Sequence, residues 1–181
     1  MVEQAKYEIL RKINKFEIRL YPPLVVARVE GYGDAGFNIL FRFITGNNRQ
    51  KSKVEMTAPV ISEKIAMTAP VFSEEDSLAF VMPDGFSIET TPEPLDKRVK
   101  IVEIPERAVA VLQFSGSWSS SVFEKRARKL LDELAKEGIR TASKVFSMRY
   151  NGPFTPWFLR RNEVAVDVDV KDRVCSKQLS K

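Results

Sequence analysis

The sequence predicts an α+β domain built from two pseudo-symmetric βαββ repeats, an antiparallel sheet or distorted barrel carrying two helices. Three observations predict it. One pattern occurs twice: Ile18-x-x-Tyr21-Pro22-x-x-Val25-Val26-Ala27 closing at Gly31, and Ile101-x-x-Ile104-Pro105-x-x-Ala108-Val109-Ala110 closing at Gly116. Each copy is followed by a segment of helical periodicity. Each of those is followed by two segments of strand character. The chain has 181 residues, 44% hydrophobic and 29% charged, which fits one packed domain and argues against global disorder. The expected core runs from about 7 to 170, with a polar, basic tail over 171–181.

Tyr7-Glu8-Ile9-Leu10 reads as a short strand, and Phe16 to Leu20 alternates apolar and charged residues, the period-two sign of a half-buried strand. Leu24 to Val29 resumes as a β-branched strand after Pro22-Pro23. A helix is expected over about 34–45, with Asp34 as N-cap and Gly46 just past its end. On it Phe37, Leu40, Phe41 and Ile44 share one face, and Ile39 and Phe43 widen the apolar arc to about half the circumference. One packing face needs only about 100°, so more protein or a ligand must cover the surplus. Two near-copies follow at a period of eleven: Lys53-Val-Glu-Met-Thr-Ala-Pro-Val60 and Lys64-Ile-Ala-Met-Thr-Ala-Pro-Val71. They read as neighbouring short strands ending at Pro59 and Pro70, because proline cannot donate to a sheet ladder. Leu78 to Met82 is a further strand, and Thr91 to Asp96 a proline-rich connection.

The second helix is expected over about 120–137, starting near Ser121 with Glu124 completing a capping box. Phe123, Ala127, Leu130, Leu131 and Leu134 face inward, and Glu124/Arg128 and Asp132/Lys136 pair on the outside. Lys144 to Tyr150 and Glu163 to Val170 close the second half as strands, the latter with strict alternation from Val164.

Composition removes several functions. The chain has no histidine, so Ser-His-Asp and Cys-His catalysis, histidine zinc sites and histidine ligation of haem iron are excluded. Its one cysteine, Cys175, forms no internal disulfide. The net charge of +5 suits an anionic small ligand, while no block of basic residues or motif points to nucleic acid. The N-terminus has no apolar h-region and no run long enough to span a membrane. A cytoplasmic monomer is the expectation.

The ordered set Tyr21-Pro22-Pro23, Gly46-Asn47, KVEMTAPV with KIAMTAPV, Phe114-Ser115-Gly116, Tyr150-Asn151-Gly152-Pro153 and Arg160-Arg161-Asn162-Glu163-Val164 resembles the SOUL haem-binding family from about Tyr7 to Val170. The resemblance implies an effector-binding-domain-like fold and non-covalent binding of haem or another porphyrin, as a carrier, buffer or sensor and not as an enzyme. It places a hydrophobic groove between the first helix and the loop before the last strand. A basic residue late in that helix, matched here by Arg42, would meet a propionate. A family lysine falls at Thr155, and the histidine ligand of some members has no counterpart.

A porphyrin is a flat apolar disc with two carboxylates, so it needs apolar walls and a cation at the rim. The candidate binding residues are Phe37, Asn38, Phe41 and Arg42 on the helix, and Phe154, Thr155, Pro156 and Trp157 on the late loop. Each helix Phe also reads as core, and Arg42 as a solvated charge. Met56 and Met67 read as core or as soft iron ligands, and Tyr32 and Tyr150 as phenolate donors. Arg160 to Glu163 reads as a site or as an ion-pair network bracing the last strand. The alternative functions are a general binder of lipophilic, even cationic, molecules, favoured by a buried carboxylate in the cavity, and a hydrolase with a Glu/Tyr site.

Overall fold

The computed structural model describes residues 3–32, 35–63, 77–116, 119–151 and 155–169. The strands are β1 (Glu3–Gln4), β2 (Glu8–Ile13), β3 (Phe16–Tyr21), β4 (Leu24–Glu30), β5 (Thr57–Glu63), β6 (Ser77–Val81), β7 (Lys100–Ile104), β8 (Arg107–Ser115), β9 (Phe146–Arg149) and β10 (Arg161–Asp167). Helix α1 (Ala35–Ile44) follows β4, and α2 (Ser120–Lys136) follows β8. A single 3-10 turn spans Trp157–Leu159.

Among the described residues the strands form one sheet in the order β2-β3-β8-β10-β9-β5-β6-β4-β7, open at both ends, with β1 added in parallel to β5. Read from its centre, the sheet is a palindrome. The first repeat is β3-β4-α1-β5-β6 and the second β7-β8-α2-β9-β10. The two meet where β5 pairs with β9. Their leading strands are exchanged: β3 pairs with β8 of the other repeat, and β7 with β4. The α+β class, the antiparallel pairing and the two βαββ units expected from the sequence are therefore present, as an open sheet.

Both helices lie on one face. There α2 covers Ile18, Ala110, Leu112, Val164 and Val166, and α1 covers Ala27, Val29, Leu78 and Phe80. The alternate residues, among them Tyr21, Val26, Val81, Val109, Phe146 and Ala165, form a third cluster on the helix-free face. It unites strands far apart in the sheet, so the sheet curls around it. Residues Ala5 and Tyr7 pack into this cluster.

Several local expectations are corrected. Helix α2 is capped two residues earlier than Ser121: the Ser119 hydroxyl accepts from the Val122 N–H, at 3.2 Å. Any of three consecutive serines can cap, and the one reaching an N3 amide sets the start. Leu131 is 37% exposed, because the packed stripe is Phe123, Ala127, Leu130 and Leu134 and Leu131 stands on its shoulder. The Glu124–Arg128 pair forms at 3.8 Å, but Lys136 pairs with Glu133, not Asp132. Strand β5 does not stop at Pro59. It passes through, and the register shift between Thr57 and Val60 absorbs the residue that cannot donate. The Asp34 cap and the second copy, Lys64 to Val71, lie outside the described residues, as do Val170 and Cys175.

Candidate ligand site on the first helix

Helix α1 buries Gly36, Leu40, Phe43 and Ile44. Gly36 is required by that packing: a Cβ there would stand 2.8 Å from the Val29 side chain. The buried stripe leaves Phe37 and Phe41 on one shoulder, 36% and 46% exposed. Their rings stack with centroids 6.0 Å apart and an interplanar angle of 12°. Phe37 meets Phe80 of β6 edge-on at 5.2 Å. The helix thus presents two near-parallel aromatic rings, Phe37 anchored edge-on to the core and Phe41 more open. Asn38 and Arg42 are exposed beside it. Arg42 lies in the last turn, where the helix dipole favours a cation. The Asp96 carboxyl is held at about 2, first by the Arg98 side chain, with Arg42 acting in the same direction.

The late loop reaches the same end of the sheet. Strand β9 ends at Arg149 opposite Val60, near the start of β5, and α1 leads into that start. Thr155 is half-buried, Pro156 exposed and Trp157 60% exposed. The loop packs on β8, while α1 packs on β4 and β6, so the two rest on different strands of the sheet. Phe154, like Met67, lies outside the described residues. Phe158 and Leu159, 58% and 63% exposed, complete the same turn. They were missed in the sequence, although they continue the apolar run begun at Trp157.

The exposed Phe37 and Phe41 rings, with Arg42 exposed beside them, have the apolar and cationic character that a tetrapyrrole needs. Iron donors are another matter. Met82 and Met148 are buried and Met56 is half-buried. The Tyr32 ring carries the Arg98 guanidinium at 5.3 Å. The Tyr150 hydroxyl donates to Glu163 at 2.8 Å. Burial, and then the Glu163 charge, push that phenol far above its ordinary value, so it does not supply a phenolate.

Glu163 belongs to a buried network that sequence periodicity did not reveal. Arg19, 2% exposed, donates from Nη1 to Glu163 Oε2 at 2.9 Å. Arg161 donates to Glu163 Oε1 from Nε and Nη2 at 3.0 and 2.7 Å. Arg19 also binds Glu17 at 2.9 Å. Burial works to raise the Glu17 carboxyl, but the hydrogen bonds and charges of Arg19 and Lys12 together outweigh it and the net direction is down. The Tyr7 ring lies over the Arg19 guanidinium at 4.3 Å, and the Tyr150 ring under that of Arg161 at 4.0 Å. The alternation of Phe16 to Leu20 suggested that Arg19 faces solvent. The curled sheet buries both of its faces instead. The last-strand network is therefore real, with Arg19 as the member that only the fold supplies. Beside it lies a narrow apolar cleft lined by Tyr21, Leu24, Ile61, Val81, Phe146 and Met148, with about 10 Å³ free. That is room for one water, not a macrocycle.

No helix among the described residues is long and apolar enough to cross a membrane. Among solved structures, the fold resembles a hydrolase from Listeria innocua, with TM-score 0.58 at 14% identity, covering 88% of this chain and 94% of that one. It also resembles the C-terminal domain of EcmrR, with TM-score 0.58 at 10% identity, covering 87% and 99%. At such identities these likenesses speak for the fold alone, which is effector-binding-domain-like. In sequence, the chain is 28% identical to human heme-binding protein 2 over 165 residues, 83% of this chain and 80% of that protein. It is 28% identical to the mouse protein over 179 residues, 91% and 87%. The family model for SOUL heme-binding proteins matches residues 2–167, almost the whole described chain, and the chain belongs to that family.

Proposed function

We propose that the chain binds haem or another tetrapyrrole non-covalently against the exposed shoulder of α1, serving as a carrier, buffer or sensor and not as a catalyst. The observation that carries this reading is the stacked Phe37–Phe41 pair, two aromatic rings left out of the core on a helix whose other side is fully packed. One face of the macrocycle lies on these rings. Asn38 and Arg42 stand at the rim for a propionate, and Thr155, Pro156 and Trp157 form the facing wall. Haem bound here brings its own iron chemistry. The chain contributes apolar burial and one exposed charge, so metal-free porphyrin binds about as well as haemin. The buried carboxylate does not favour a binder of cations or a Glu/Tyr hydrolase, because Arg19 and Arg161 already neutralise Glu163.

Absorbance titration with haemin and with metal-free protoporphyrin tests this on the wild type, Phe41→Ala, Arg42→Ala and Trp157→Ala. Arg42→Ala weakens binding by about 0.5–1 kcal/mol, the range for exposed pairs. Phe41→Ala and Trp157→Ala weaken it more, as aromatic anchors do. Unchanged affinity in all three removes the groove from this location. A six-coordinate low-spin spectrum abolished by Met67→Ala would replace burial with ligation as the source of affinity.

A further inference from the structure

The 3-10 turn carries three consecutive large apolar side chains, Trp157, Phe158 and Leu159, each 58–63% exposed. This is not a loose loop awaiting a core. The Leu159 N–H bonds the Pro156 carbonyl at 2.9 Å, the Arg160 N–H bonds that of Trp157 at 3.3 Å, and Arg160 Nε bonds that of Thr155 at 2.7 Å. The Arg161 N–H is held by Asn151 Oδ1 at 2.6 Å. The turn is pre-shaped, and its shape keeps these side chains out of the protein. Trp157 and Phe158 pack edge-to-face on each other at 5.7 Å. Contiguous exposed apolar surface of this kind marks an interaction site.

The surroundings are basic. Arg160 follows the three apolar residues directly. The turn rests on β8, and at the end of β8 the Arg126 guanidinium lies over the Phe114 ring at 5.4 Å. Lys125 is exposed on the same first turns of α2. Glu124, the acidic residue there, is paired with Arg128. The chain as a whole carries +5.

An apolar tip of Trp, Phe and Leu backed by cations matches the interfacial zone of an anionic bilayer. Aromatic rings are favoured at headgroup depth, and lysine and arginine are drawn to the negative surface. We infer that this turn docks the protein reversibly onto anionic lipid surfaces, with Trp157, Phe158 and Leu159 inserting at the headgroup boundary and the basic side chains around them facing lipid phosphates. A second copy of the chain fits less well, because two basic tips repel each other. The inference shares Trp157 with the wall assigned to the tetrapyrrole, while Phe158 and Leu159 lie outside that wall, so variants at these two positions separate the two readings.

Vesicle co-sedimentation tests it, using phosphatidylcholine vesicles with and without about a third phosphatidylserine. The wild type partitions onto the anionic vesicles and is partly released by high salt. The double variant Phe158→Ser/Leu159→Ser loses partitioning by about tenfold or more, while its melting temperature and porphyrin affinity stay at wild-type values. Phe158→Trp, which keeps an interfacial aromatic, retains binding. Failure of the wild type to bind anionic vesicles overturns the inference, as does equal binding by the double variant. Equal partition onto pure phosphatidylcholine removes the anionic surface as the partner. A wild-type dimer that the double variant abolishes would assign the tip to a second copy of the chain instead.

Discussion

The two repeats place their helices on equivalent strands and then use them in opposite ways. Helix α2 has one apolar stripe, Phe123, Ala127, Leu130 and Leu134, and its outer side is charged and paired. It is a cover for the sheet. Helix α1 buries an equivalent stripe and still exposes Phe37 and Phe41. The helix-free face divides in the same manner. Aligning Ala27 with Ala110 makes Val102 and Ile104 the counterparts of Arg19 and Tyr21. Because Phe80 pairs with Ala27 and Val166 with Ala110, Ser77 becomes the counterpart of Glu163. A buried ionic network thus occupies one half where apolar and small residues fill the other. One repeat carries the candidate ligand surface on its helix, and the other lends its last strand to the buried charge. Symmetry of backbone fixes where side chains stand, and only chemistry at each place decides whether it is core, surface or site.

The sharpest way to break this comparison is to unpair the network. Glu163→Ala leaves Arg19 buried without its main partner, and should lower stability to denaturant by about 3–5 kcal/mol. Ser77→Ala, at the matching place, should cost far less. Equal losses would show that the two inner halves do not differ. The two sides of α1 separate next. Phe43→Ala should cost about 3–5 kcal/mol. Phe41→Ala should cost below about 1 kcal/mol and act instead on porphyrin affinity. On α2 the same contrast holds between Leu130→Ala, at about 2–5 kcal/mol, and the shoulder residue Leu131→Ala, well below it. Chemical denaturation with matched porphyrin titrations reads all four.

Alkaline pH gives a milder test. Burial raises the phenols of Tyr21 and Tyr150 above their ordinary value of 10.0. In the unfolded chain they ionise near that value, while in the fold they stay neutral. Their contribution to stability is therefore fully present below about pH 10 and declines as pH rises beyond it. Tyr150→Phe should flatten this decline, measured as denaturation midpoints across alkaline pH, and tyrosine absorbance should show a phenol titrating only with unfolding. The smallest effect is expected from Glu124→Ala on the exposed face of α2, below about 0.5 kcal/mol.

The twofold plan was legible because it rests on short-range rules. The Ile-x-x-Tyr/Ile-Pro pattern marks two equivalent strand turns, and apolar spacing marks both helices to within a residue or two. The Phe37–Phe41 surplus was legible for the same reason, since an apolar arc wider than one packing face can be counted on a helical wheel. Side-chain burial was less legible where it depends on which surfaces meet. Glu17 and Arg19 alternate with apolar neighbours as on a half-solvated strand, and the sequence has no signal that the sheet will curl and close over them. Arg19 and Glu163 are 144 residues apart, and their pairing follows from β3 and β10 both lying against β8 in the exchanged topology. The strand through Pro59 was misread because the rule against proline in a ladder is local, while a register shift made jointly with β6 removes the conflict.

The sequence by itself determined both helices, most of the strands, the repeat and the absence of histidine chemistry, because periodicity, turn residues and composition act within a few residues or not at all through space. Tertiary structure decided which of two exposed-looking charges is buried, which leucine of α2 meets the sheet, and which apolar residues remain outside the core. Those outcomes depend on long-range strand exchange and on curvature, which set the distance and dielectric around each side chain and leave no mark in its local pattern.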